Sequence, residues 1–332
     1  MLKPITILSC CLILLLFPGC NRIGSYTKSG LYFDTLISIT IYESDAEKAE
    51  ELLNESLKLC EYYEGLFSPE INSSDISRLN SSAGKITEIN PETITLLEKG
   101  INYAAISDNS FDITIAGVTS LWDFNSQTGE IPSSESIKEQ LPHVGIDKLI
   151  INSNDNTAEL SDQLTSIDPG GLAKGYIADK LADYLRTQNV YGAIINLGGD
   201  ISTIGNSDKN KYFTIGINNP DNSGTPLFPI YITNKAVATS GTYERFLIDE
   251  NGNKHCHIID PKTGMSVNTD ICQASVITKN AIDADSYATI CILKGSRDAL
   301  SFIENIDNTE AVLITDDGQI IKSSGMGQYL NP

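Results

Sequence analysis

Histidine is scarce in this 332-residue chain: His143, His255 and His257 are the whole complement. Three scattered imidazoles exclude a His-rich zinc or haem centre. Beyond the first twenty residues the cysteines are Cys60, Cys256, Cys272 and Cys291, and no two have C-x-x-C spacing. That removes zinc knuckles and thioredoxin-like redox motifs and leaves these thiols as buried hydrophobes. Basic residues are also few, 23 Lys and Arg against 43 Asp and Glu, for a formal net charge of -20. Nucleic acid is excluded as a partner, because binding its phosphates needs clustered Lys and Arg. The acidity serves solubility, and it equally suits a cation bridging acidic side chains to a phosphorylated ligand. The phosphate loop G-x-x-x-x-G-K-[ST], the dinucleotide turn G-x-G-x-x-G and the hydrolase elbow G-x-S-x-G are all missing.

Only one long apolar run occurs, Ile5 to Phe17, with Lys3 as the sole charge before Arg22. It is shorter than the roughly 20 apolar residues of a membrane span. Pro18-Gly19-Cys20 follows, so the segment reads as a bacterial lipoprotein signal in which Cys20 becomes the lipid-bearing N-terminus. The expected division is a signal over residues 1–19, a polar tether over 20–30 and one domain over 31–330. The domain would then face outside the cytoplasm, lipid-anchored at the cell membrane.

Within that domain, 31–42 alternates in part and predicts a strand. Ser44-Asp45 opens a helix over 46–63, Pro91 a helix running toward Ser107, and a helix follows from about Ala173 to Gln188. Residues 192–197, 212–217, 230–232 and 274–278 read as strands, and 282–293 as a helix. Asn251-Gly252 and Asp317-Gly318 predict hairpin turns. Helices and hairpins mix without a βαβ rhythm. The expected class is therefore α+β, with mixed, largely antiparallel sheets and packed helices.

Four segments can carry chemistry, and each has a plain structural alternative. Asp168-Pro169-Gly170-Gly171-Leu172-Ala173-Lys174-Gly175 places glycines and a Lys at a helix start, which suits a pyrophosphate or a simple turn. Ala238 to Phe246 is polar and Gly-centred, and taken alone reads as a hairpin connection. His257-Ile258-Ile259-Asp260-Pro261 ends a predicted strand with His257 and Ile259 on one face. In Asp283 to Thr289, a helix sets Asp285 and Thr289 one turn apart, where two oxygens can meet a hard cation or merely solvent.

The order of motifs is more specific than any one of them. Phe67-Ser68, Ser77 to Asn80, Phe111 to Thr114, Leu121 to Phe124 and His143-Val144-Gly145 come first. The Asp168 turn, Asn196 to Asp200 and the Thr239, His257 and Asp283 segments follow. This series resembles the ApbE family of FAD:protein FMN transferases across almost the whole chain after the tether. The resemblance implies FAD as substrate, Mg²⁺ as cofactor, release of AMP, and FMN joined by a phosphoester to a Thr or Ser of an exported redox protein. It places the flavin site on Phe33, Ser110, Phe111, Asp112, Asp168, Lys174 and Ile259. The metal falls to the Gly171 carbonyl, Asp285 and Thr289, and proton transfer to His257 or Asp285. Glu70 stands where many members have a Tyr, so a ring-stacking contact is not expected at that edge. No Ser-Gly-Ala-Thr segment occurs here, so self-modification is not expected. The alternative, an exported FAD-binding lipoprotein or an FAD pyrophosphatase giving FMN and AMP, would use the same Mg²⁺ site, whereas a surface- or solute-binding lipoprotein without chemistry leaves Asp285 and Thr289 unexplained.

Overall fold

In the computed structural model, residues 22–124, 129–221 and 224–331 are described. Cys20 and the apolar run before it lie outside them. Among the described residues no helix is long and apolar enough to cross a membrane.

The chain begins with a hairpin, β1 (Gly24–Tyr32) and β2 (Thr35–Glu43), paired in unbroken antiparallel register. The expected tether is thus mostly a strand, and the single strand expected over 31–42 is a turn and a second strand. Phe33 and Asp34 form the turn with φ of 52° and 54°. Asp34 tolerates that left-handed region, but it is uncommon for a bulky Phe. The Phe33 amide is held by a 2.6 Å hydrogen bond to Glu64 Oε1 of α1 (Ala46–Phe67). The α1 start is capped by Asp45, whose side chain accepts from the amides of Glu47 and Lys48.

The remaining core elements are α6 (Ala173–Thr187), β6 (Gly192–Leu197), β7 (Asp200–Gly205), β10 (Ala236–Gly241), β13 (Ile271–Thr278), α7 (Ala281–Lys294), α8 (Ser296–Glu304), β14 (Glu310–Thr315) and β15 (Ile320–Lys322). The strands form one eight-stranded sheet in the order β1-β2-β6-β7-β10-β13-β14-β15. Every pairing in it is antiparallel.

Strand alternation sorts the side chains onto two cores. Ala236, Ala238, Ala274, Val276, Ala311 and Leu313 face α1, α6, α7 and α8 on one side. Their neighbours Val237, Ile277, Val312 and Ile314 face a hairpin on the other side. This hairpin comprises β8 (Phe213–Ile217) and β9 (Phe228–Ile232), with Met326 and Tyr329 beside it. Small residues on the helical face let α7 lie close to the sheet.

A smaller region holds α2 (Asp75–Ser81), β3 (Thr87–Glu88), α3 (Pro91–Ile106), α4 (Ala116–Thr119), α5 (Ser134–Gln140), β4 (Leu149–Asn152) and β5 (Thr157–Leu160). Asp75 ties it together, accepting from Arg78, the Asn90 amide and the Thr93 hydroxyl. A short hairpin, β11 (Phe246–Ile248) and β12 (Lys254–Cys256), pairs around the Asn251-Gly252 turn. The strand expected to run on through His257 stops at Cys256, and beyond it Ile259 makes only an isolated bridge to Ser266. Cys60, Cys256, Cys272 and Cys291 are all free thiols, and Cys60, Cys256 and Cys291 are buried, as hydrophobes in this core would be.

Candidate active site

The start of α6, one face of α7, the ends of β7 and β10, the β1–β2 turn and the segments 110–115 and 257–261 enclose a cavity of about 530 Å³. The cavity wall includes Phe33, Ser110, Phe111, Asp112, Asp168, Gly171, Lys174, His257, Ile259, Asp285 and Thr289. These residues span more than 250 positions of sequence, and the fold brings them to one place.

α6 and α7 hold each other by reciprocal capping. The residue before α6, Leu172, offers no side-chain cap, and the one before α7, Asn280, makes none. Asp285 Oδ2 accepts instead from the Gly175 amide at 3.1 Å. Asp179 on α6 accepts from the Ala281 and Ile282 amides at 2.7 and 3.0 Å. Each carboxylate satisfies amides that a helix start leaves without partners, and each sits at the positive end of the other helix. Burial pushes the Asp179 carboxyl up to about 6 against those hydrogen bonds. Gly175 allows the close crossing: a Cβ there would lie 2.5 Å from the Ala281 oxygen and 2.6 Å from the Ile282 Cα. A further tie fixes α7 to α3, from the Tyr103 hydroxyl to Asp283 at 2.7 Å.

The metal-ligand residues expected from sequence converge here. Asp285 and Thr289 lie one turn apart on α7. The Gly171 carbonyl accepts from Ser286 on the same helix at 3.4 Å. Thr289 Oγ1 lies 3.1 Å from Ser240 Oγ of β10. A Cβ on Gly171 would meet the Phe111 ring at 2.9 Å, so only glycine brings this backbone so near both the ring and Thr289.

Charge at the site is unbalanced. Lys174 Nζ lies 2.8 Å from Asp200 Oδ2 and 3.3 Å from Asp285 Oδ2. Burial disfavours the ammonium, but the two carboxylates outweigh it and raise the Lys174 pKa. Asp200 is buried at 3% exposure, and its Oδ2, although close to Lys174, has no well-aligned hydrogen bond. Burial, and then the charge of Asp285, raise its pKa despite Lys174. Glu244 lies on the same wall, exposed to the cavity, where the charge of Lys174 lowers its pKa and that of Asp285 raises it. One ammonium thus faces three carboxyl groups. Buried acid in excess of the one ammonium between Asp200 and Asp285 fits a divalent cation. Among the described residues no three His, Cys, Asp or Glu side chains are grouped as metal ligands. A carboxylate, a hydroxyl and a carbonyl form a sparse hard-oxygen set, one that leaves positions for phosphate oxygens.

His257 donates its amide to the Arg245 carbonyl at 3.0 Å, and its Nδ1 lies 3.2 Å from the same oxygen. A carbonyl only accepts, so the proton sits on Nδ1 and the Nε2 lone pair is available. Burial lowers the His257 pKa to about 4; the hydrogen bond to Arg245 opposes this, and the charges of Arg245 and Lys174 reinforce it.

The remaining residues build the walls. Asp112 is buried and bracketed: Oδ1 accepts from the Thr114 amide and hydroxyl, and Oδ2 from the Ile146 amide at 2.9 Å. Asp168 Oδ1 accepts from Gly170 N at 2.8 Å, shaping the glycine turn before α6. Ser110 Oγ donates to the Ser107 carbonyl, and the Phe111 ring stands edge-on to Tyr103. Ile259 is buried beside Trp122 and Leu247. Glu70 does line the cavity. Sequence reasoning passed over Asp200, Glu244 and Arg245, also on this wall. All three lay in quoted motifs, but nothing in their spacing separated them from solvated polar residues.

The ApbE family model matches residues 33–313. Among curated relatives named FAD:protein FMN transferase, that of Klebsiella pneumoniae is 28% identical, over 94% of this chain and 95% of its own. That of Treponema pallidum is 26% identical over 93% and 89%, and that of Haemophilus influenzae 30% identical over 76% and 75%. The solved ApbE protein of Thermotoga maritima has a TM-score of 0.85 at 23% identity, over 93% of this chain and 100% of its own. The flavin transferase ApbE of Vibrio cholerae has a TM-score of 0.81 at 24% identity, over 93% and 100%. These structures carry the α+β fold, and the match to the family model extends along most of the sequence: this chain belongs to the ApbE family.

Proposed function

We propose that this protein is an FAD:protein FMN transferase that uses Mg²⁺, releases AMP and leaves FMN as a phosphoester on a Ser or Thr of an exported redox protein. The observation that carries the reading is the meeting of Asp285, Thr289 and the Gly171 carbonyl beside the Lys174–Asp200 pair in one cavity. Phe33 and Phe111 are apolar surfaces for the flavin ring, and Ser110, Asp112, Asp168 and Ile259 define its side of the cavity. Asp285, Thr289 and Gly171 would hold Mg²⁺, which when bound neutralises pyrophosphate charge.

Lys174 is held by two carboxylates in the free protein. Were Asp285 engaged by a cation, Lys174 would keep Asp200 and could reach a phosphate oxygen, a charge-assisted contact of roughly 1.5–3 kcal/mol. His257 is neutral near pH 7, and its Nε2 can take the proton of the acceptor hydroxyl. Orientation does the rest: the α6–α7 clasp keeps the Asp285 and Lys174 groups in fixed relation before substrate arrives.

The test uses purified protein, FAD and Mg²⁺, with a carrier protein bearing an extended Ser-Gly-Ala-Thr segment. Mass analysis is expected to find the carrier heavier by FMN and AMP released in equal amount. FMN and AMP formed at the same rate without carrier, on an unmodified carrier, would instead establish the pyrophosphatase reading. Binding of FAD without turnover would leave only a binding lipoprotein.

The localisation follows from residues 1–20. The chain is proposed to be lipid-anchored through Cys20, facing outside the cytoplasm. Cys20→Ser is expected to abolish lipid labelling and to move the enzyme out of the membrane fraction with activity intact. Unchanged labelling would refute the anchor and leave the enzymology standing.

A further inference from the structure

The two edges of the large sheet are unlike. β15 is three residues long, too short to template another strand. β1 is nine residues long, has no proline, and pairs with β2 without a bulge. Its one charge, Lys28, is tied to Glu50 and Asn54 of α1, so it does not guard the edge. Among the described residues no strand pairs with the outer side of β1. Native sheets usually blunt such an edge with short strands, charges, proline or bulges.

The same strand ends at the cavity. Phe33, Asp34 and Thr35 at the hairpin tip line it. Directly behind them, opposite each other in register, stand Leu31 and Leu36, exposed at 74% and 66%. An open strand edge therefore leads to an apolar pair and then into the cavity. The second substrate of this site is a polypeptide that must bring one hydroxyl inside.

We propose that the acceptor protein docks as an extended strand along β1, seating an apolar side chain on Leu31 and Leu36 and delivering its Ser or Thr past the Phe33 turn. This deepens the transferase reading and rests on it. Main-chain pairing along β1 gives affinity with little sequence demand, and the leucine pair sets the register. The occupant is committed by continuity: β1 runs directly into the Phe33–Thr35 turn, which lines the cavity that the acceptor hydroxyl must reach.

The experiment compares the wild-type chain with Leu31→Asp/Leu36→Asp, and with the milder Leu31→Ser/Leu36→Ser. The probe is the carrier protein with the Ser-Gly-Ala-Thr segment. Both sites are exposed, and an unchanged Kd for FAD confirms that each variant is folded. KM for the carrier is expected to rise roughly tenfold or more in the Asp variant, the loss of one interface anchor, with kcat little changed. A carrier whose threonine is replaced by valine should slow hydrogen exchange across residues 24–32. An unchanged KM, or no protection of β1, overturns the docking proposal. So does sedimentation in which the variants abolish a dimer and leave KM alone, since the edge then serves a second copy of this chain. Failure of the wild-type chain to modify the carrier at all overturns the transferase reading itself.

Discussion

Asp285→Asn is expected to fold and to lose FMN transfer. Asn can still accept the Gly175 amide that Asp285 Oδ2 now holds at 3.1 Å, and Asn caps helices as well as Asp does. The α6–α7 clasp therefore survives. What goes is the one charged donor in the proposed cation set, leaving the neutral Thr289 hydroxyl and Gly171 carbonyl. A hard cation is poorly held by two neutral oxygens. If the loss costs roughly 3–4 kcal/mol of charge stabilisation, transfer falls on the order of 100- to 1000-fold. Thr289→Val should lose less, since it removes a neutral ligand and the contact to Ser240. The measurements are transfer rate across a Mg²⁺ titration, calorimetric Mg²⁺ binding with FAD present, and circular dichroism for folding. Wild-type transfer by folded Asp285→Asn at wild-type Mg²⁺ would refute the ligand assignment.

Gly175→Ala should damage the same site through packing. The added methyl would lie 2.5 Å from a carbonyl oxygen and 2.6 Å from a Cα of α7, both backbone atoms that no rotamer change can move aside. Alanine favours a helix by about 1 kcal/mol over glycine. Overpacking of this kind typically costs about 1–3 kcal/mol and sometimes more, so the net effect is destabilising. The two helices must separate, which stretches the Gly175–Asp285 hydrogen bond and the Asp179 cap together. Thermal unfolding should shift down by several degrees and transfer should fall at least tenfold, by roughly 1.4 kcal/mol of barrier. Gly65→Ala is the control. It is also helical, on α1, and a Cβ there meets nothing within 4 Å, so it should be neutral or slightly stabilising. Equal behaviour of the two variants would show that the α6–α7 crossing does not set the site.

Much of the fold is legible in local pattern. Asp45 before α1, Pro91 at the start of α3, and the apolar spacing of α6 and α7 mark helices whose ends agree with expectation within a few residues. The run 192–197 is β6 itself. Two elements escaped the local pattern, each for its own reason. β10, with Ala-Val-Ala-Thr-Ser-Gly, reads as a polar connection because its residues are small; they are small because α7 packs on it. The β1–β2 turn is invisible because Phe33-Asp34 lacks the Asn-Gly or Asp-Gly signal of such turns. Its left-handed Phe is held by Glu64 from thirty-one residues away.

By itself the sequence determined the family, the helix ends, and which residue types could meet a cation and a pyrophosphate, because motif order and capping are local or linear properties. Only the tertiary structure decided that Asp285 and Asp179 cap each other's helices and that Lys174 is held between Asp200 and Asp285. It also decided that Asp112 is bracketed on both oxygens and that, among the described residues, β1 is the edge strand of the large sheet and leads to the cavity. Each of these depends on the distance between groups far apart in the chain, and on whether water can reach them. A carboxylate is the same letter whether solvated or buried, and only its surroundings settle what it holds.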